Sequence, residues 1–174
     1  RHGKQVAVAV LVLQAFAGSA YGIDGTWSRR EGERDQNYRV VTSDGRSVVF
    51  KLCHPAEGDA VLACQAEALE HIAAVDPRLP VPRVLRSREG CLLGRLPHAG
   101  QDYPVMVLSW LEGRVLGNTI LPPHELAGLG ALLARLGLAL RGFISGAPAA
   151  RDLAWDTRQV ARLSPQVAQL PEDD

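Results

Sequence analysis

Residues 38–52 read Tyr38-Arg39-Val40-Val41-Thr42-Ser43-Asp44-Gly45-Arg46-Ser47-Val48-Val49-Phe50-Lys51-Leu52, two β-rich runs on either side of an Asp-Gly pair. Glycine tolerates the positive φ that a tight turn demands, so the stretch predicts a hairpin of residues 38–41 against 47–52. In the second strand the period of two puts Val48, Phe50 and Leu52 on one face and Val49 and Lys51 on the other. Lys51 decides the reading. A lysine in the middle of an apolar strand is costly unless its ammonium meets an anion or its face is open to water. The alternation favours the anion.

Upstream of the hairpin lies the polar run Arg34-Asp35-Gln36-Asn37. Further back, a basic start (Arg1 to Lys4), an apolar run over residues 6–17 and the small residues Gly18-Ser19-Ala20 have the layout of a secretory leader. The apolar run is too short to span a bilayer. The other reading is a buried first helix packing on the domain, favoured because the chain flows from it into the hairpin region without a linker.

Downstream, Leu62, Ala66, Leu69 and Ala73 recur at helical spacing, predicting a helix over 59–75 that Asp76-Pro77 stops. Leu79-Pro80-Val81-Pro82 is extended, because each proline pushes its predecessor out of the helical region. It leads into Arg83-Val84-Leu85 and Cys91-Leu92-Leu93, read as a second hairpin around Glu89-Gly90. Val105-Met106-Val107-Leu108 reads as a buried strand within 103–111, ending at Glu112-Gly113. Pro122 and Pro123 open a helix with Leu126, Leu129, Leu133, Leu136 and Leu140 on one stripe, ending near Gly142. Residues 143–174 read as loop plus a short helix around 156–163. The expected class is α+β. An antiparallel-sheet N-lobe with one inserted helix (1–113) is joined by one strand to the first helices of a truncated helical C-lobe (114–174), the layout of the protein-kinase-like fold.

Of the 174 residues 47% are hydrophobic, which excludes a wholly disordered chain. Lys plus Arg and Asp plus Glu both number 19, so no long-range field draws in nucleic acid or an anionic membrane. The three cysteines, Cys53, Cys64 and Cys91, form no CxxC or Cys/His zinc pattern. They read as free thiols suited to a reducing cytoplasm, and no metal site is expected from these residues.

From about residue 21 to 160 the chain resembles the aminoglycoside-phosphotransferase and choline-kinase-like family, most of all its hydroxylysine-kinase-like branch. The resemblance is carried by Tyr21-Gly22-Ile23, Glu33-Arg34-Asp35-Gln36-Asn37-Tyr38 and Val49-Phe50-Lys51-Leu52. Leu79-Pro80-Val81-Pro82-Arg83-Val84 and Val107-Leu108-Ser109-Trp110-Leu111-Glu112-Gly113 complete it. It implies that Asp35, Gln36 and Asn37 belong to a phosphate-covering loop, without the triple glycine of protein kinases. Lys51 then meets the α- and β-phosphates of ATP, and Val49 roofs the adenine. A helix residue, usually Glu, pairs with that lysine. Alignment on Leu69 and Ile72 puts Gln65 there, with Glu67 as runner-up. Ser109-Trp110-Leu111 is the implied hinge: the Ser109 carbonyl and Leu111 N–H bind adenine's edge, with Leu108 in the pocket behind. Trp110 is equally well a packing residue.

Phosphoryl transfer in this family also needs a catalytic Asp and an Asn in a His-x-Asp loop, and an Asp that holds magnesium. None of His54, His71, His98 and His124 has an Asp two residues on. The resemblance therefore implies the ATP-binding portion of a cytoplasmic kinase acting on a hydroxyl of an amine or amino-acid-like substrate. ATP and Mg²⁺ are its cofactors, the metal ligands and catalytic loop lie beyond this chain, and the chain alone is expected to be inactive. A fusion to a pyridoxal-phosphate (PLP)-dependent aminotransferase-like domain fits the branch. The alternatives are a non-catalytic kinase-like module that binds nucleotide or a partner, and an exported protein of unrelated fold.

Overall fold

The computed structural model of the chain describes residues 8–113, 116–117 and 119–146. The elements run α1 (Val10–Tyr21), β1 (Gly25–Arg30), β2 (Gln36–Thr42), β3 (Ser47–Leu52), α2 (Asp59–Val75), β4 (Val84–Leu85), β5 (Gly94–His98), β6 (Gln101–Ser109) and α3 (Pro123–Ala139). The strands form one sheet in the order β1-β2-β3-β6-β4, with β5 also pairing with β6. Every pairing is antiparallel.

The Asp-Gly hairpin forms as the sequence predicts. Gly45 takes φ 83°, and Thr42 N–H donates to the Arg46 carbonyl at 2.8 Å. Opposed residues share a face, so the register sorts the side chains. Gln36 faces Leu52, Tyr38 faces Phe50 and Val40 faces Val48, all buried on one side. Asn37 faces Lys51 and Arg39 faces Val49 on the other.

Helix α1 covers the first side. Leu13 and Ala17 are fully buried against Val40, Phe50, Val105 and Val107, and the Phe16 and Phe50 rings meet edge-on with centroids 6.5 Å apart. Gly22, at φ 68°, ends α1 in the left-handed turn that glycine favours, its N–H returning to the Gly18 carbonyl. The described part of the segment with a leader's layout, from residue 8 on, is thus a layer of the core. Helix α2 covers the opposite side through Leu62 and Ala66, which pack with Cys53 and Met106.

Three strand readings need correction. Strand β1, Gly-Thr-Trp-Ser-Arg-Arg, lies in a stretch not read as strand, and its place is set by pairing with residues 37–42 of β2. At its start a Cβ on Gly25 would sit 2.0 Å from the Val41 carbonyl oxygen, so only glycine lets the two strands approach there. The turn around Gly90 exists, with Ser87 N–H donating to Cys91 O at 2.9 Å, but residues 91–93 are not a strand. The second hairpin is instead β5 with β6, turning at Ala99-Gly100, while β4 pairs with the far half of the same edge of β6.

Helix α2 has the bounds read from sequence. Helix α3 rests on its end: Ile72, Leu79 and Ala139 form a small core with Val81, Leu132 and Leu136, and Arg135 pairs with Asp76 at 2.6 Å. The leucine stripe of α3 is otherwise open, with Leu126, Leu129, Leu133 and Leu140 exposed. The expected helix near 156–163 lies outside the described residues.

Candidate functional site

The face of the sheet that carries Lys51 also carries Val49 beside it, Leu108 opposite Val49 and Met106 opposite Lys51. Met106 is buried and Leu108 half-buried, so the ammonium emerges from an apolar floor. The Lys51 side chain is 24% exposed, and its Nζ lies 2.8 Å from Asp35 Oδ2. The other carboxylate oxygen of Asp35 accepts the His54 N–H at 2.8 Å. Next to it, Arg34 reaches the nearly buried carboxylate of Glu57 at 3.7 Å. Two consecutive residues of the β1–β2 loop are therefore fastened to the segment that follows β3.

The structure separates the four polar residues read as one loop. Asp35 ends the loop, whereas Gln36 and Asn37 begin β2. Asn37 lies directly across from Lys51, its amide nitrogen donating to the Glu31 carbonyl at 3.3 Å and its Oδ1 buried without a partner. Gln36 shares a face with Leu52, away from Lys51, and neither polar atom of its buried side chain is hydrogen-bonded. As a side-chain donor to phosphate at Lys51, Gln36 is on the wrong face. The physical reason is the pleat, which sends neighbours to opposite sides.

The helix partner also differs from the expectation. Among the described residues neither Gln65 nor Glu67 is hydrogen-bonded or ion-paired to Lys51. Gln65 is half-buried beside Leu62 and Ala66, and Glu67 faces solvent. Asp35 takes the lysine instead.

At the end of β6, Ser109 is tied to the strand by exchange with Arg83. Its N–H donates to the Arg83 carbonyl and its Oγ accepts the Arg83 N–H, each at 2.8 Å. Its side chain is therefore structural. The Leu111 N–H has no protein acceptor among the described residues, and the Leu111 side chain is exposed. Trp110 is a packing residue. The Arg39 guanidinium stacks over its indole at 4.4 Å while reaching Glu112 at 3.1 Å and Ser47 Oγ at 3.1 Å. This clasp of Arg39, Trp110 and Glu112 joins β2 to the segment after β6 and was not visible in the sequence.

Cys53, next to this site, has its thiol pushed up to about 12 by burial, so it is no nucleophile. Among the described residues no three His, Cys, Asp or Glu side chains come together as a metal site. Two cavities lie away from Lys51. One of about 310 Å³ is between α1 and the Ser87–Cys91 turn, and one of about 800 Å³ is open between the ends of α2 and α3.

A sequence model described as the phosphotransferase enzyme family matches residues 26–174. The chain belongs to this family. Its similar relatives include a homoserine kinase of Methylobacillus flagellatus, 30% identical over 77% of this chain and 39% of the relative. A second is a homoserine kinase of Pseudomonas aeruginosa, 38% identical over 82% of this chain and 41% of the relative. The chain thus spans about two fifths of the curated relatives it matches. Among solved structures it is similar to an amicoumacin kinase in complex with AMP-PNP and Ca²⁺, with a TM-score of 0.72 and 15% identity over 96% of this chain and 55% of that one. An aminopropanol kinase gives a TM-score of 0.63 and 17% identity over 91% and 48%. These likenesses show the fold alone: the six-stranded sheet with α2 on the lysine face has the layout of a kinase-like N-lobe. Among the described residues no helix is long and apolar enough to cross a membrane.

Proposed function

We propose that this chain is the nucleotide-holding part of an ATP-dependent kinase that phosphorylates a hydroxyl of a small amine or amino-acid-like molecule. The observation that carries the reading is Lys51, a cation rising from the apolar face of a phosphotransferase-family sheet with N–H donors to spare. In this reading Lys51 holds the α- and β-phosphates, Val49 and Leu108 cover the adenine, and the Leu111 N–H with the Ser109 carbonyl binds its edge. The lobe boundary falls at Gly113. Asn37, across from Lys51 with an unpartnered Oδ1, borders the phosphates. The acceptor class is supported by the homoserine kinases among the relatives, since homoserine is an amino acid with a free hydroxyl.

The acceptor oxygen attacks the γ-phosphorus, the bond to the departing ADP oxygen breaks, and the hydroxyl proton passes to a base. The described residues offer neither that base in a His-x-Asp loop nor an acidic cluster fit to hold magnesium, so no step is assigned to them. The same fact favours, for the chain in isolation, a second reading as a binding module without turnover.

A thermal shift with ATP and magnesium separates these ideas. A ligand at a hundred times its Kd stabilises by about 2.7 kcal/mol, which for a chain of this length is a rise of roughly 5–11 °C. Wild type should show it and Lys51→Ala should not. Equal shifts in both proteins, or none in wild type, refute the site. Steady ATP consumption by the chain refutes the module reading.

A further inference from the structure

We propose that Asp35, not a side chain of α2, is the anionic group that positions the Lys51 ammonium for nucleotide phosphates. The inference rests on the nucleotide-binding reading above and adds a positioning residue to it.

The geometry is specific. Asp35 presents one oxygen to Lys51 Nζ at 2.8 Å and the other to the His54 N–H at 2.8 Å, so its carboxylate is held at both ends. The Arg34–Glu57 pair fastens the preceding residue to the same segment, and one residue later the Gln36–Leu52 pairing closes the ladder. The loop has little freedom to carry Asp35 away.

An ammonium has three N–H donors. The carboxylate takes one, leaving two for phosphate oxygens, so the pair and a bound phosphate chain are compatible. Holding the four-carbon stem in one rotamer shifts its ordering cost from the binding step to folding. Nothing of the kind is supplied by α2, where Gln65 makes no hydrogen bond to Lys51 and Glu67 faces solvent. The opposite effect is the one to exclude, because a carboxylate beside a triphosphate also repels it. A charge-deleting substitution gives the two effects opposite signs.

The test is calorimetric binding of ATP, and separately of adenosine, to wild type, Asp35→Asn, Lys51→Met and the double variant. Asparagine keeps the shape and an acceptor for the His54 N–H. If Asp35 positions the lysine, Asp35→Asn weakens ATP by about tenfold. Adenosine, which has no phosphate, binds as before, and in the Lys51→Met background the Asp35 substitution changes nothing further. A purely structural loss would weaken both ligands. Unchanged or tighter ATP binding by Asp35→Asn overturns the proposal, as does a loss on Gln65→Ala while Asp35→Asn is silent. Wild type failing to bind ATP removes the nucleotide reading itself, whereas ATP binding that needs Lys51 but ignores Asp35 removes only this inference. If Asp35→Asn does not fold, the wild-type Lys51 ammonium protons answer by NMR. Slow exchange without ATP supports the pair, and the fast exchange of a free lysine overturns it.

Discussion

Replacing Leu13 by alanine asks whether α1 is a structural layer or a detachable leader. Leu13 is 0% exposed, seated with Ala17 against the face formed by Val40, Phe50, Val105 and Val107. Leu→Ala in a close-packed site costs the transfer of the lost methyl groups plus a cavity, together about 2.7–5.0 kcal/mol. The upper half of that range is expected, because a fully hydrogen-bonded sheet behind the site cannot collapse into the gap. For a chain of this length each kcal/mol lowers the melting midpoint by roughly 2–4 °C, so a fall of roughly 8–20 °C follows. Urea unfolding followed by far-UV circular dichroism should show a lower midpoint with unchanged slope. Leu11→Ala is the control: on the same helix but 74% exposed, it should stay within about 0.5 kcal/mol of wild type. If Leu13→Ala behaves like Leu11→Ala, α1 is not seated on the sheet and the two-sided architecture is wrong.

Two further outcomes follow from the titratable groups. In the β2–β3 turn, the Thr42 hydroxyl and then Arg46 hold the Asp44 carboxyl down at about 2. A carboxyl-carbon NMR titration should find that midpoint, and Thr42→Val should return it toward the ordinary value of about 3.9. Because the folded value is depressed, Asp44's contribution to stability is complete above the unfolded pKa and disappears as pH falls through about 2. Among the thiols, exposed Cys91 should react first with a thiol reagent at pH 8, while buried Cys53 should be labelled only after denaturant is added. Fast native labelling of Cys53, read by mass spectrometry, would contradict its packing against Leu62 and Met106.

What the sequence disclosed follows from how local each signal is. The faces of β3 were readable because Val48, Phe50 and Leu52 alternate with Val49 and Lys51 over a few residues. Helix α2 was readable because its periodic residues stop at an Asp-Pro. Strand β1 was not, because Gly-Thr-Trp-Ser-Arg-Arg lies at a sheet edge and, apart from Trp27, buries almost nothing. Strand β5 hid behind Pro97, which is tolerated there because the strand pairs on one side only. The site residues divide the same way. Lys51 announces itself by a polar head among apolar neighbours. The sides taken by Gln36 and Asn37 depend on a register that sequence does not state, and the Asp35 contact joins residues sixteen apart through that register. The stripe on α3 was legible as amphipathic, but its burial depends on what lies against it: of its five leucines only Leu136 finds a place in a core, beside Leu132 and Ala139, which lie off the stripe.

The alternation along β3 makes residues 50 and 51 neighbours in sequence and strangers in environment, one sealed in oil and the other beside an anion. A single codon inserted ahead of Phe50 within this strand would exchange them, driving an ammonium into the layer under α1 and turning a phenyl ring toward Asp35. The spacing from Gly45 to Lys51 therefore acts as a reading frame written in geometry, and it should tolerate changes of letter far better than changes of count.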